Sequence, residues 1–217
     1  MGYKQNNTRF RQFVHNLNKA RKLQAKKIDI LCNDILGAHK KFINSLDKIS
    51  FTADFYEAII GQANLEQLLQ KSCELIHNQI DNCGIAILLI EQDRLEDFIF
   101  EHDKSKSIDP KHIRESFDRE TVINIAKSNK VCTTEDMCKA GLQINPVKFG
   151  SLDTFGIPLE SEGLPIGMIL LYRQKMHGKN WTGAEKVTTI TSGFSKAVKA
   201  CRKTPQLATV NKEYLND

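Results

Sequence analysis

A heptad pattern near the N-terminus constrains this chain more than any other feature. From Val14 to Ile49, eleven positions follow one another in alternating steps of three and four, the spacing of the seam of a coiled coil. These positions are Val14, Leu17, Arg21, Gln24, Ile28, Leu31, Ile35, Ala38, Phe42, Ser45 and Ile49. At 1.5 Å per residue the segment forms a rod of about 54 Å, longer than a small globular domain is wide. The pattern therefore predicts a helix that needs a partner helix.

A second copy of the chain is the simplest partner for this helix. We predict a homodimer, in which Arg21 and Gln24 weaken the packing locally while fixing its register. Two alternatives remain: the helix folds back on its own domain, or it divides into a helical hairpin near Gly37. The predicted dimerisation residues are Val14, Leu17, Ile28, Leu31, Ile35, Ala38 and Phe42.

The same segment is basic. Residues 1–50 contain eleven of the 31 Lys and Arg but three of the 26 Asp and Glu, so contact with nucleic acid or anionic lipid is one interpretation. Basic residues on a long helix more often form its solvated face, and no aromatic residues are interleaved with them in the way that base stacking requires. We therefore predict no nucleic-acid partner.

Other features of the sequence indicate a cytoplasmic protein without a metal site. No apolar stretch approaches the roughly 20 residues that a membrane span needs, and the N-terminus lacks the apolar core of a secretory signal. The six cysteines form no CxxC pair, which argues against a zinc site and against a disulfide framework. We expect free thiols in a reducing compartment.

From residue 64 onward the pattern predicts an α+β domain with an antiparallel sheet. Asn64 and Gln67 mark the start of a helix, and Thr182 with Glu185 has the spacing of a capping box for a terminal helix that ends near Arg202. Short helices are expected after Asp109 and over 118–128, a short strand over 131–134, and a long loop or broken helix over 135–152. The predicted hairpins pair 85–90 with 95–102, and 155–159 with 164–172.

This order resembles that of a GAF domain. The hairpin carrying Pro158-Leu159 and Ile166-Gly167, followed by a terminal helix, is similar to the C-terminal half of that family. The resemblance implies a GAF-like central antiparallel sheet with flanking helices over 62–203, after a long helical segment over 1–61. We predict that the tail, 204–217, is disordered.

The resemblance also implies where a ligand would bind, between the sheet and the segment from Ile108 to Leu152. The candidate ligand-binding residues there are Phe100, Phe117, Cys132, Met137, Phe149 and Phe155. The alternative is that all six are core residues. The residue sets of the cyclic-nucleotide, bilin and methionine-sulfoxide members of the family are not found, since His177, for example, has no neighbouring Cys. We therefore predict no cofactor and no catalytic residue.

Three functions are consistent with these features. The first is a cytoplasmic sensor or regulatory module that dimerises through its helix and binds a small molecule. The second is a scaffold whose domain binds other proteins and no ligand. The third is a thiol-dependent enzyme that uses Cys132 or Cys138.

Overall fold

The computed structural model describes residues 2–80, 83–92, 94–100, 110–143, 152–175 and 184–213. The chain forms two compact units, Met1–Ile49 and Ser50–Asp217. The division lies earlier than the predicted boundary between 61 and 62, because Phe51, Phe55 and Ile59 are buried in the core of the second unit.

Helix α1, Gly2–Ile59, is one continuous α-helix. The long N-terminal helix is confirmed, and the alternative of a hairpin near Gly37 is wrong, since a glycine costs a helix interior only about 1 kcal/mol relative to alanine. Within the described residues, no helix combines the length and the apolar character of a membrane span.

The second unit is built on a five-stranded antiparallel sheet. Its strands are paired in the spatial order β2-β1-β5-β4-β3. The two predicted hairpins are β1–β2 and β4–β5, and both are confirmed. The strands are β1 Gly84–Glu91, β2 Arg94–Phe100, β3 Cys132–Thr133, β4 Leu152–Ser161 and β5 Leu164–Gln174.

Helices cover both faces of the sheet, which confirms the predicted α+β class. The end of α1 packs with α2, α6 and α7 on one face, while α3, α4 and α5 pack on the other. The helices are α2 Leu65–Gln79, α3 Pro110–Ser116, α4 Arg119–Lys127, α5 Thr134–Lys139, α6 Ala184–Thr188 and α7 Thr191–Glu213.

The terminal helix differs from its prediction. It is interrupted at 189–190, where Thr189 Oγ1 donates to the Lys186 carbonyl at 2.7 Å and two backbone bonds span three residues instead of four. Such side-chain bonds compete with the helical pattern. Helix α7 also continues past Pro205 to Glu213, so the predicted end near Arg202 is wrong. Residues 214–217 of the predicted disordered tail lie outside the described residues.

Gly167 allows the central strands to approach closely. Its φ is +155°, and a Cβ there would lie 2.1 Å from the Leu88 carbonyl oxygen. Strand β5 therefore requires glycine at position 167, where its pairing with β1 begins.

Candidate functional site

Two features of the described residues are candidates for function: an exposed seam on α1 and a cleft beside β2. The seam residues predicted from the heptad pattern all lie on α1, and their side chains are exposed on the single chain. Leu31 is 59% exposed and Ile35 is 66% exposed, values typical of surface polar residues and not of aliphatic ones. Contiguous exposed apolar surface of this extent is typical of an interaction surface.

The seam is a different face of α1 from the one that packs in the second unit. Phe51 follows Ile49 by two residues, which corresponds to a rotation of about 200° around the helix. Ile49 is 65% exposed, whereas Phe51 is 4% exposed. The alternation of steps of three and four thus ends where the core-facing residues begin.

The cleft lies between the first turn of α2 and the strands β1 and β2, and its volume is about 640 Å³. Its walls are apolar at the base, where Leu69, Ile87 and Leu89 are nearly fully buried. Asn64 forms part of the rim, and its side-chain oxygen caps α2 by accepting from the backbone N–H of Glu66 at 2.8 Å. The lining residues are Asn64, Leu65, Glu66, Leu69, Ile87, Leu89, Arg94, Leu95, Glu96, Asp97 and Phe98.

Charged side chains along β2 are held by ion pairs. Glu96 accepts from Arg94 at 3.1 Å and from Arg202 of α7 at 2.7 Å. Arg94 also pairs with Glu91, and the hydrogen bond from Arg94 lowers the pKa of the Glu91 carboxyl. On the other face of the sheet, Arg114 pairs with Asp97. These ion pairs hold the carboxylates of Glu96 and Asp97 in position.

The structure separates the five predicted ligand residues that it describes. Phe117, Cys132 and Met137 belong to the buried cluster under α3, α4 and α5, whereas Phe100 and Phe155 belong to the cluster on the opposite face.

Phe149 lies outside the described residues. Met137 is fully buried, and its sulfur fills the space above Gly156, 2.9 Å from where a Cβ would lie. Ligand binding by these residues stays a prediction.

The thiols differ in environment. Burial raises the pKa of the Cys83 thiol to about 12 and also raises the pKa values of Cys73 and Cys201. Cys132 is buried beside the Ser128 hydroxyl at 3.2 Å, and Cys138 is exposed. Within the described residues, no group of three His, Cys, Asp or Glu side chains is placed to hold a metal ion.

The residues of the cleft were not predicted as a site. The sequence indicates Asn64 as a helix cap and Leu95 as part of a strand, but their proximity depends on how α2 packs over the β1–β2 hairpin. One local signal is present, since Arg94, Glu96 and Phe98 alternate along β2 and so share a face.

No family model matches the chain, and no curated protein matches it. Solved structures do match.

A GAF domain from an Acinetobacter phosphoenolpyruvate-protein phosphotransferase has a TM-score of 0.50 and 12% identity, covering 73% of this chain and 97% of that one. A GAF domain from the corresponding Coxiella burnetii protein has a TM-score of 0.51 and 13% identity, covering 75% and 99%. The second unit has the GAF fold. A GAF domain/HD domain protein from Geobacter sulfurreducens matches with a TM-score of 0.51 and 11% identity, covering 66% and 97%.

At these identities the likeness establishes the GAF fold alone. It confirms the resemblance inferred from the second hairpin and the terminal helix. The cleft lies on the face of this GAF-fold unit that α1, α2 and α7 cover, and not on the face where the family resemblance implies a ligand.

Proposed function

We propose that this protein is a regulatory module in which a GAF domain is joined to a helix that dimerises with a second copy. The observation that carries the proposal is the exposed apolar seam on a continuous α1. Burying one Leu or Ile side chain contributes about 1.5–3 kcal/mol, and the seam offers a succession of them on each chain. A self-complementary stripe of this kind favours a symmetric pair.

The matched structures support an accessory role for the domain. The GAF domains from Acinetobacter and Coxiella are parts of phosphotransferases, so in those proteins the fold accompanies a catalytic protein. In this chain the proposal assigns the domain a sensory role. A small molecule would regulate the module only by binding one arrangement of the paired helices more tightly than another.

The proposal includes a cytoplasmic location. All six cysteines are free thiols, and Cys32 and Cys138 are exposed. Exposed free thiols persist in a reducing compartment and oxidise elsewhere.

Light scattering after size-exclusion chromatography tests the dimer. We expect the wild-type particle to have twice the mass of one chain. The double variant Leu31→Lys/Ile35→Lys should be a monomer, because each of the two substituted layers of the seam would contain two ammonium groups.

The matched control is Leu36→Lys/Ile43→Lys, which introduces the same charges at exposed apolar positions of α1 outside the seam. This control should remain a dimer. A monomeric wild type, or a dimer that survives the seam substitutions, would overturn the proposal.

A second candidate is a scaffold that binds no small molecule. The close packing of Phe117, Cys132 and Met137 favours it, because these residues fill the face where a ligand was expected. Native mass spectrometry of the protein purified from its own host separates the two. A co-purified mass that is lost on unfolding supports a sensor, and its absence supports the scaffold.

A further inference from the structure

Strand β2 forms one edge of the sheet. It pairs with β1 along seven residues, Arg94–Phe100, and no described strand lies on its other side. The opposite edge, β3, contains two residues. An edge strand presents unpaired N–H and C=O groups, to which an additional strand can bind.

The register identifies which groups of β2 point outward. The Ile90 carbonyl oxygen of β1 accepts from Arg202 Nη1 at 2.9 Å, so the backbone groups of Ile90 point away from β2. The backbone N–H and C=O groups of successive residues point to opposite sides of a strand. Those of the neighbouring residue, Leu89, therefore point toward its β2 partner, Glu96.

It follows that three β2 residues point their N–H and C=O groups to the open side. In the part of the chain that the structure describes, none of these groups has a backbone partner. The three outward residues of β2 are Leu95, Asp97 and Ile99.

This edge lacks several of the usual protections against pairing. Natural edge strands are guarded by Pro, by outward Lys, by a β-bulge or by shortness. The sequence of β2, RLEDFIF, contains neither Pro nor Lys, and its register with β1 is unbroken. Two of its charged side chains are paired within the chain, Glu96 with Arg202 and Asp97 with Arg114, while Arg94 is largely exposed. The three outward residues of β2 can each form main-chain hydrogen bonds with a partner strand. Such a partner would bond through every second one of its residues.

The cleft borders this edge on the face covered by α2. Phe98 and Glu96 project into it from β2, and Leu65 and Leu69 line it from α2. A strand added beside β2 would direct alternate side chains over this cleft. The cleft is open and not enclosed, which suits an extended chain better than a small molecule held in a closed pocket.

We propose that β2 and the cleft form a docking site for an extended peptide of another protein, bound by β-strand addition. The charges of the cleft define its chemistry. Glu66 lies on the rim of the cleft and has no ion-pair partner among the described residues, whereas the carboxylates of β2 are already paired. The peptide therefore carries apolar residues at alternate positions and a Lys or Arg that reaches Glu66.

A second copy of the chain fits this edge less well. Symmetric antiparallel pairing of two β2 strands with all three outward residues engaged would place Asp97 opposite Asp97 of the copy. Like charges directly opposite each other destabilise a strand pair. The site goes beyond the proposed dimer, because its residues lie on β2 and α2 and not on the α1 seam.

The test uses the full chain and a phage-displayed library of random twelve-residue peptides. We expect selection to enrich sequences that alternate apolar residues and contain Lys or Arg. A fluorescein-labelled copy of the most enriched peptide is then titrated by fluorescence anisotropy. The monomeric variant Leu31→Lys/Ile35→Lys should bind this peptide as the wild type does, which separates the peptide site from the dimer.

Two matched pairs of variants test the geometry. Asp97→Pro removes an outward N–H and should weaken peptide binding at least tenfold, while Asp97→Ala loses the same ion pair with Arg114 but keeps the N–H and should bind within about threefold of the wild type. Glu66→Lys should weaken binding at least fivefold. Its control is Glu120→Lys, which makes the same change at the second residue of another helix, α4.

Amide hydrogen exchange of the wild type provides a measurement that needs no variant. Peptide binding should slow exchange at Leu95, Asp97 and Ile99, with little change at Glu96 and Phe98, whose amides already bond to β1. Enrichment of no peptide, equal binding by Asp97→Pro and Asp97→Ala, or no slowing at the three outward amides would each overturn the proposal.

Discussion

Replacing Phe55 by alanine tests whether the last turns of α1 are part of the GAF core. The Phe55 side chain is fully buried. Its ring centroid lies 6.0 Å from those of Phe51 and Tyr56, and 6.1 Å from that of Phe194, which it meets edge to face. The substitution removes the ring from the centre of an aromatic cluster that joins α1 to α7.

The expected loss is about 4 kcal/mol, since Phe→Ala in a core costs about 3–5 kcal/mol and aromatic pairs contribute about 0.5–1.5 kcal/mol beyond burial. In a domain of 150–250 residues, 1 kcal/mol shifts Tm by about 2–4 °C. We therefore expect Phe55→Ala to melt about 8–16 °C below the wild type, as measured by circular dichroism at matched protein concentration.

Phe13→Ala is the matched control, because it makes the same change on the same helix at a side chain that is 65% exposed and outside the predicted seam. It should change the free energy of unfolding by no more than about 0.5 kcal/mol. If Phe55→Ala melted within about 2 °C of the wild type, the assignment of the end of α1 to the domain core would be refuted.

Two further predictions concern the sheet. Gly167→Ala should lower the free energy of unfolding by more than about 3 kcal/mol in urea titrations, because its Cβ would lie 2.1 Å from the Leu88 carbonyl oxygen. The control, Gly163→Ala, should lower it by about 1 kcal/mol, because Gly163 has a φ of +75° but no atom near the added Cβ. Equal losses would contradict the close approach of β5 to β1. Stability should also fall as pH rises from the ordinary thiol pKa of 9.0 toward about 12, since the unfolded Cys83 thiol ionises in that range while burial keeps the folded thiol protonated. Urea midpoints at pH 8 and pH 10.5 should therefore fall further in the wild type than in Cys83→Ala, and parallel decreases would show that Cys83 is not the cause.

Local patterns predicted much of this fold. The steps of three and four along α1, the alternating apolar residues of the hairpins and the cap at Asn64 each involve neighbours in sequence, and the structure contains the corresponding elements. Helix α5 was expected as a loop or broken helix, although Thr133 and Asp136 form a capping box there. That signal spans only four residues, and Gly141 and Pro146 nearby favour a loop.

The candidate site was less accessible to such reasoning. Glu96 is held by Arg202, a residue 106 positions away in sequence, and no periodicity links the two. Phe100 and Phe117 are both apolar and flank one segment, but the sheet separates them because their elements pack on opposite faces. Which face a side chain reaches depends on strand register and layer order, and neither follows from composition.

The position of β1 in the sheet has a consequence for synthesis. Its strand lies between β2, which follows it at once, and β5, whose Tyr172 pairs with Gly84. In a ribosome-bound chain that has emerged only through residue 150, β1 can pair with β2, but the flank of β1 that binds β5 is unoccupied. The sheet can close only after β5 has been synthesised, because β5 joins β1 to β4.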